Sequence, residues 1–468
     1  MTLTGCIDLA PKYQRPATPT PATFPTGPAY PPAQDRPIVG WREFFSDPRL
    51  AAVIDEALAN NRDLRVAVAN IAAARAQYRV QRAALLPTLV AQAGATYAQQ
   101  PTSVIAGGAV PAGAAGAYNE RLYSLTAGVS AYQLDLFGKV RNLTRAAQDQ
   151  YFATGQARDA AQITLISEVA ADYLVVGSDR ALLKIARDTL TSGAATVELT
   201  QRRLDHGVAS ALDVSQAQTA AQQARFDVAR LTTQIAQDRN ALDLVVGAPV
   251  AEDLLPAGID GQVVVLDRLP GAVSSSVLLR RPDVLQAEDQ LRAANANIGA
   301  ARAAFFPSIQ LTGSGGLTSL ALSTLFKGAA ETWSFAPTIS QTIFDGGANR
   351  GALAYARAQR DVSLAQYEKA IQTAFREVAD ALALRGAIGE QVAAQQALTD
   401  AAAEAYRLSN ARYERGADTW LNALIAERTL YAARQTLVAA KLARATNLVT
   451  LYTALGGGLD APGATAAR

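Results

Sequence analysis

Cysteine and histidine are all but missing from this 468-residue chain: it has one of each, Cys6 and His206. One thiol forms no intrachain disulfide, and with a single imidazole it offers no ligand set for a structural zinc. A Ser-His-Asp site would have to use His206, which stands beside Gly207 in a glycine turn. The glycine-rich stretches GGAVPAGAAG (107–116) and GAPVAEDLLPAG (247–258) follow no strand-to-helix phosphate pattern and read as loops. The sequence therefore offers no catalytic residue, metal site or nucleotide cofactor, and the chain reads as a non-enzyme. Long apolar runs are also missing. Half the residues are apolar, mostly alanine, and no run reaches the roughly 18 residues of a spanning helix. A membrane crossing would have to be a β-barrel, since only helices and closed barrels satisfy their backbone in lipid. Charge of one sign is lacking too. The 43 basic and 41 acidic residues are scattered, which argues against nucleic acid as a partner.

Proline is absent from two long tracts, Pro111 to Pro249 and Pro337 to Pro462, while nine of the 20 prolines crowd between Pro11 and Pro37. The crowded segment reads as an extended strap. The empty tracts read as helix, because an interior proline costs about 3 kcal/mol there. The two tracts resemble each other. RLDHGVASALDVSQAQ (203–218) aligns with RYERGADTWLNALIAE (412–427), QLDLFGKVR (133–141) with QTIFDGGAN (341–349), and ALLPTL (84–89) with AFFPSI (304–309). This predicts a tandem internal duplication, and a unit of about 210 residues is too long for a solenoid repeat.

Each half is expected to begin with a helix, 62–86 or 282–306, closed by Pro87 or Pro307. Two strands follow, at about 88–98 and 121–135 in the first half and 308–316 and 332–344 in the second. Their residues alternate: Leu89, Ala91, Ala93, Ala95 and Tyr97 share a face, as do Tyr123, Leu125, Ala127, Val129 and Ala131. A helix near 139–205 or 347–415 would then span roughly 100 Å. One apolar stripe in the first runs through Ile163, Ile166, Ala170, Tyr173 and Val176. Gly207 and Gly416 reverse the chain into return helices, 212–246 and 421–455. A short helix and a return helix stacked end to end would match one long helix, with the breaks at mid-height. The division is thus 1–37 strap, 38–61 equatorial region, 62–247 first repeat, 248–281 equatorial linker, 282–456 second repeat and 457–468 tail. Four strands are too few for a barrel with a lumen, whereas three chains supply twelve. A homotrimer is expected.

The stretch RRPDVLQAEDQLRAANANIGAARAAFFPSIQLTGSGG (280–316) resembles the signature of the TolC-like outer-membrane factors of resistance–nodulation–division efflux pumps. CIDLAPKYQRP, WREFFSDPRLAAVIDEAL, LDLFGKVRN and IFDGGANR extend the likeness over essentially the whole chain, and to the lipoprotein branch in particular. The resemblance implies a mostly α protein with a membrane β-barrel. Three chains would form a twelve-stranded outer-membrane barrel continued by a twelve-helix periplasmic α-barrel. It also implies the location, the outer membrane of a Gram-negative bacterium, and the task, a passive exit duct. The partners would be a periplasmic membrane-fusion adaptor, an inner-membrane RND transporter and outer-membrane lipid. Leu3-Thr4-Gly5-Cys6 matches a lipobox, so Cys6 is expected to carry covalent lipid. Only Met1-Thr2 precede that box, and the natural signal is expected to start upstream or to have been trimmed.

The resemblance further places a periplasmic gate at Tyr413, Leu421 and Arg428, with Leu421 as the apolar constriction and Arg428 as a tether between hairpins. Where relatives carry an aspartate that pairs with the arginine, this chain has Ile425, leaving Asp418 or Glu414 as substitutes. Gly207 and Gly416 mark turns where an adaptor would dock. The alternatives are the outer-membrane channel of a type I protein secretion system and a helical periplasmic scaffold without a pore. The aromatics at the strand ends, Tyr97, Tyr123 and Trp333, favour a channel over the scaffold.

Overall fold

The computed structural model describes residues 7–30, 40–101, 117–259 and 274–457. Cys6, the end of the strap, the loop 102–116, the linker 260–273 and the tail 458–468 lie outside the described residues. The element order is α1 (Trp41–Phe44), α2 (Pro48–Asn60), α3 (Arg62–Ala83), β1 (Leu89–Pro101), β2 (Ala117–Leu134), α4 (Lys139–Asp205) and α5 (Ala211–Val246). After two 3-10 turns come α6 (Pro282–Ala303), β3 (Ser308–Ser319), β4 (Glu331–Ser340), α7 (Ala348–Glu414) and α8 (Trp420–Ala454). The order helix, two strands, 67-residue helix and return helix thus occurs twice. The strands run a few residues beyond the expected spans at the loop side of β1, β2 and β3, while β4 stops at Ser340 instead of 344. The chain divides into two compact units.

The first unit (Met1–Arg15, Ala72–Phe152, Asp289–Ala365) holds an antiparallel sheet in the order β1-β2-β3-β4. Its register aligns Leu89, Val129, Gly313 and Phe335 in one cross-strand row, and Ala91, Ala127, Gly315 and Trp333 in the next. The intervening rows carry Val90, Gly128, Ser314 and Ser334, then Gln92, Thr126, Gly316 and Thr332. One face is therefore mainly apolar and the other mainly small and polar. Ala131 departs from the expected alternation. It sits at φ 55° in a β-bulge between Val129 and Tyr132, where Ser130 and Ala131 together oppose Thr312. The extra residue flips the parity, so Tyr132 and Leu134 continue the apolar face opposite Leu311 and Ile309. The start of the strap is pinned here. The Ile7 N–H donates to the Leu136 carbonyl (3.0 Å), Arg302 to the Leu9 carbonyl (3.0 Å) and Asn295 to the Pro11 carbonyl (2.7 Å). Burial pushes the Asp8 carboxyl up, but the Ala10 N–H, Asn142 and Arg145 outweigh it and hold Asp8 at about 2.

The second unit (Pro16–Ile71, Ala153–Glu288, Gln366–Arg468) is helical. Ile163, Ile166, Ala170, Tyr173 and Val176 are all buried, as their spacing requires. By length and composition α4 contains a stretch apolar enough to cross a membrane, but half of that stretch is buried inside the fold. Burial against protein accounts for that half of its apolarity. Around Tyr452 cluster Phe44 and Phe45, with ring centroids at 4.4 and 6.0 Å. Two helix joints define this unit. Asn61 caps α3, accepting from the Leu64 N–H (2.7 Å), and its amide donates to the Val245 carbonyl at the end of α5 (2.7 Å). In the second half Arg281 precedes α6 and donates to the Ala454 carbonyl at the end of α8 (2.6 Å). The end-to-end stacking expected from helix lengths is met at these two places.

Candidate functional site: the hairpin tips

The tips of the two hairpins lie in the second unit. Gly207 and Gly416 both have φ 72°, a left-handed value that favours glycine. At each, the carbonyls left free at the helix end are taken up by the turn. The Val208 N–H reaches the Arg203 carbonyl (2.8 Å) and the Ala417 N–H the Arg412 carbonyl (2.9 Å). The turns are alike, and the helices that leave them are not. In α5, Ser210 and Asp213 form a reciprocal capping box. The Thr419 side chain makes no cap bond at α8, and the Thr419 N–H is instead bound by Asp418 (2.8 Å).

The gate residues inferred from the family resemblance fall on different sides of the second hairpin. Tyr413 is buried with Trp420, Ala423, Leu424 and Ala217. Its ring lies 5.2 Å from that of Trp420, with the Arg203 guanidinium 4.2 Å above it. Leu421, Ile425 and Arg428 share an exposed face of α8 at helical spacing. Arg428 makes no hydrogen bond or ion pair among the described residues. Asp418 and Glu414, the candidate substitutes for the missing aspartate, do not reach Arg428 within this chain. Asp418 accepts from Asn422 (2.7 Å) and pairs with Arg412 (3.2 Å), and Glu414 accepts from Asn410 (2.9 Å). The bonds from Asn422 and the Thr419 N–H, with the Arg412 charge, hold the Asp418 carboxyl below its ordinary value.

The opposite face of α8 carries residues that the sequence reading passed over. Trp420, Leu424, Glu427 and Tyr431 step by four, three and four and form a seam against α4 and α5. Tyr431 donates to the Asp227 carboxylate (2.9 Å), and Ser192 lies 3.3 Å from Glu427. Beside them is a cavity of ≈ 410 Å³ lined by Thr189, Gln223, Asp227, Arg230, Glu427 and Arg428, among others. The signal was the heptad-like spacing itself, which the scattered charges of α8 obscured.

An open-edged sheet and long helix hairpins, each in two copies of one element order, define a class: subunits of outer-membrane channels. The model of the outer membrane efflux protein family matches residues 53–248 and 273–457, and the chain belongs to that family. It is 45% identical to the probable efflux pump outer membrane protein TtgC of Pseudomonas putida, over 97% of this chain and 93% of that protein. A crystal structure of a membrane protein from Pseudomonas aeruginosa superposes with a TM-score of 0.89 at 41% identity, covering 97% of this chain and 98% of that one. The open state of the Neisseria gonorrhoeae MtrE outer membrane channel gives 0.86 at 38% identity, with coverage of 97% and 98%. Among relatives of this kind, the protein is an outer-membrane component of efflux machinery.

Proposed function

We propose that three copies of this chain close a twelve-stranded outer-membrane barrel, continued by twelve periplasmic helices, and form the exit duct of a tripartite efflux pump. The observation that carries this is the sheet: β1 and β4 end the strand order, and all ten residues of β4 are exposed. An open strand edge is a template for pairing, and closure into a barrel removes it. The twofold match of one family model and the repeated element order support a tandem duplication. The duct passes its cargo without chemistry, driven by an inner-membrane transporter and met by a periplasmic adaptor at Gly207 and Gly416.

The resting tube is shut at the second-hairpin tips. Leu421 is a large apolar side chain left about half exposed, which supports an apolar ring across the axis. An adaptor opens it by binding the open arrangement more tightly. That MtrE was crystallised in an open state supports a channel with more than one state. Cys6 carries lipid, and the next residue, Ile7, is bonded to Leu136, two residues past β2. Planar-bilayer conductance of the purified protein is the test. Leu421→Ser should raise the resting conductance, and a value equal to wild type would place the constriction elsewhere. Mass spectrometry of the native protein should find Cys6 acylated.

A further inference from the structure

The seam between α8 and the α4–α5 hairpin is apolar at Trp420 and Leu424 and then turns polar at two buried carboxylates of opposite circumstance. Asp227 is 8% exposed and well matched: Tyr431 donates to it at 2.9 Å, Gln223 at 3.4 Å, and Arg230 pairs with it at 3.6 Å. Glu427 is equally buried, and its one hydrogen bond among the described residues comes from Ser192 Oγ at 3.3 Å. That hydroxyl lies closer, 3.0 Å, to the Thr189 carbonyl. A serine has one proton to give. Shared between the Thr189 carbonyl and Glu427, that proton leaves an ionised Glu427 carboxylate with only a long, divided donor.

The groups around Glu427 supply no counter-charge. From α4 it faces Ser192 and Thr189; from α5, Asp227 and Arg230, which are occupied with each other; from α7, the Tyr406 phenol; and on α8, Tyr431. The remaining cation is Arg428, which lines the same ≈ 410 Å³ cavity and has no partner of its own among the described residues. Resting on the gate reading above, we propose that Glu427 is a proton switch for Arg428. Protonated, Glu427 carries no charge for the seam to balance and leaves the guanidinium on the exposed face for the tether between hairpins. Ionised, it draws the guanidinium into the cavity and takes it from the tether. Burial holds the Glu427 carboxyl above the usual carboxylate range, against the Ser192 contact, which favours ionisation. A raised carboxyl favours the closed packing at low pH and loses that contribution as pH rises through its own pKa. Resting leak should therefore increase with pH.

The test is conductance of the purified protein in planar bilayers between about pH 5 and pH 8. Wild type should leak at least about twofold more at the upper end. Glu427→Gln, nearly isosteric and never charged, should be flat at the acid level of wild type. Arg428→Ala should be flat and high throughout. A wild type without pH dependence, or Glu427→Gln that keeps it, overturns the switch. Arg428→Ala equal to wild type at every pH overturns the gate reading instead. If Glu427→Gln fails to assemble, Ser192→Ala decides: with the donor to the ionised form removed, the midpoint should rise, and an unchanged midpoint overturns the proposal.

Discussion

The two halves of the chain solve one problem with different chemistry. In each, a return helix ends where a short helix begins, and the last carbonyls of the one must be satisfied beside the first N–H groups of the other. The first half uses a neutral amide, Asn61, which caps α3 with its oxygen and serves Val245 with its nitrogen. The second uses a buried guanidinium. Arg281 binds the Ala454 carbonyl and Asp283, and through Nη2 also Glu377 (2.8 Å). Burial works against its charge, but the bonds to Asp283 and the charges of Asp283 and Glu377 more than offset it. The difference is one of consequence. An amide that is lost leaves a carbonyl short of one donor, while a lost arginine also leaves two carboxylates facing each other across the joint.

The largest effect should follow from breaking the charged joint. Arg281→Ala should destabilise the fold by about 3 kcal/mol, the lower end for disrupting a buried pair, since Asp283 and Glu377 are partly solvated. Thermal unfolding in detergent measures it. Arg281→Met, which fills the volume without charge, should fare little better if the unpaired carboxylates dominate, and much better if packing does.

A second paired feature has the same logic. Strap and linker each cross a long helix at a glycine: a Cβ on Gly386 of α7 would lie 2.1 Å from the Ala29 carbonyl oxygen, and one on Gly177 of α4 3.0 Å from that of Gly258. The strap thus presses on the second half where the linker presses on the first, and more tightly. Alanine in a helix gains about 1 kcal/mol over glycine. Against a backbone at 2.1 Å that gain is overwhelmed, so Gly386→Ala should cost about 2 kcal/mol net. At Gly177 the gain and the crowding should nearly cancel, leaving stability within about 0.5 kcal/mol of wild type. Equal losses at both sites would show that strap and linker are not counterparts.

The neutral joint comes next. Asn61→Ala removes a helix cap and the donor to Val245 but strands no charge, and should cost about 1.5 kcal/mol. Asn61→Ser keeps a capping oxygen but is too short to serve Val245, so its cost isolates the contact between the helices.

Much of this comparison is legible in the sequence alone, for a physical reason. Helix ends, glycine turns and strand alternation are written in local spacing, and the repeat makes each half a check on the other. The joints were legible as helix-length arithmetic, not as chemistry, because Asn61 meets a residue 184 positions away and Arg281 one 173 away. The bulge at Ala131 has no local mark, since it exists only relative to β3. At the tip, family likeness grouped Tyr413 with Leu421 and Arg428, whereas helical phase puts Tyr413 in the buried seam and the other two outside. Asp418 lies on the near side of the turn, six residues from Arg412, and that proximity decides its partner.

The smallest effect expected separates the two tips. Each return helix begins with N–H groups that no earlier turn can satisfy. In the first half Ser210 Oγ accepts from the Asp213 N–H (3.2 Å), and Asp213 returns a bond to the Ser210 N–H (2.9 Å). Ser210→Ala should cost about 1 kcal/mol, as is usual for an N-cap. Thr419 holds the equivalent position, but its hydroxyl caps nothing, so Thr419→Ala should change stability by less than about 0.3 kcal/mol. Hydrogen exchange localises the loss: Ser210→Ala should speed exchange at the first amides of α5 alone, and Thr419→Ala should leave those of α8 as they are. The asymmetry suits the gate proposed above, with a first hairpin that stays put and a second whose start is less firmly held. If Thr419→Ala costs as much as Ser210→Ala, both tips are equally anchored, and the difference in capping lends the proposed gate no support.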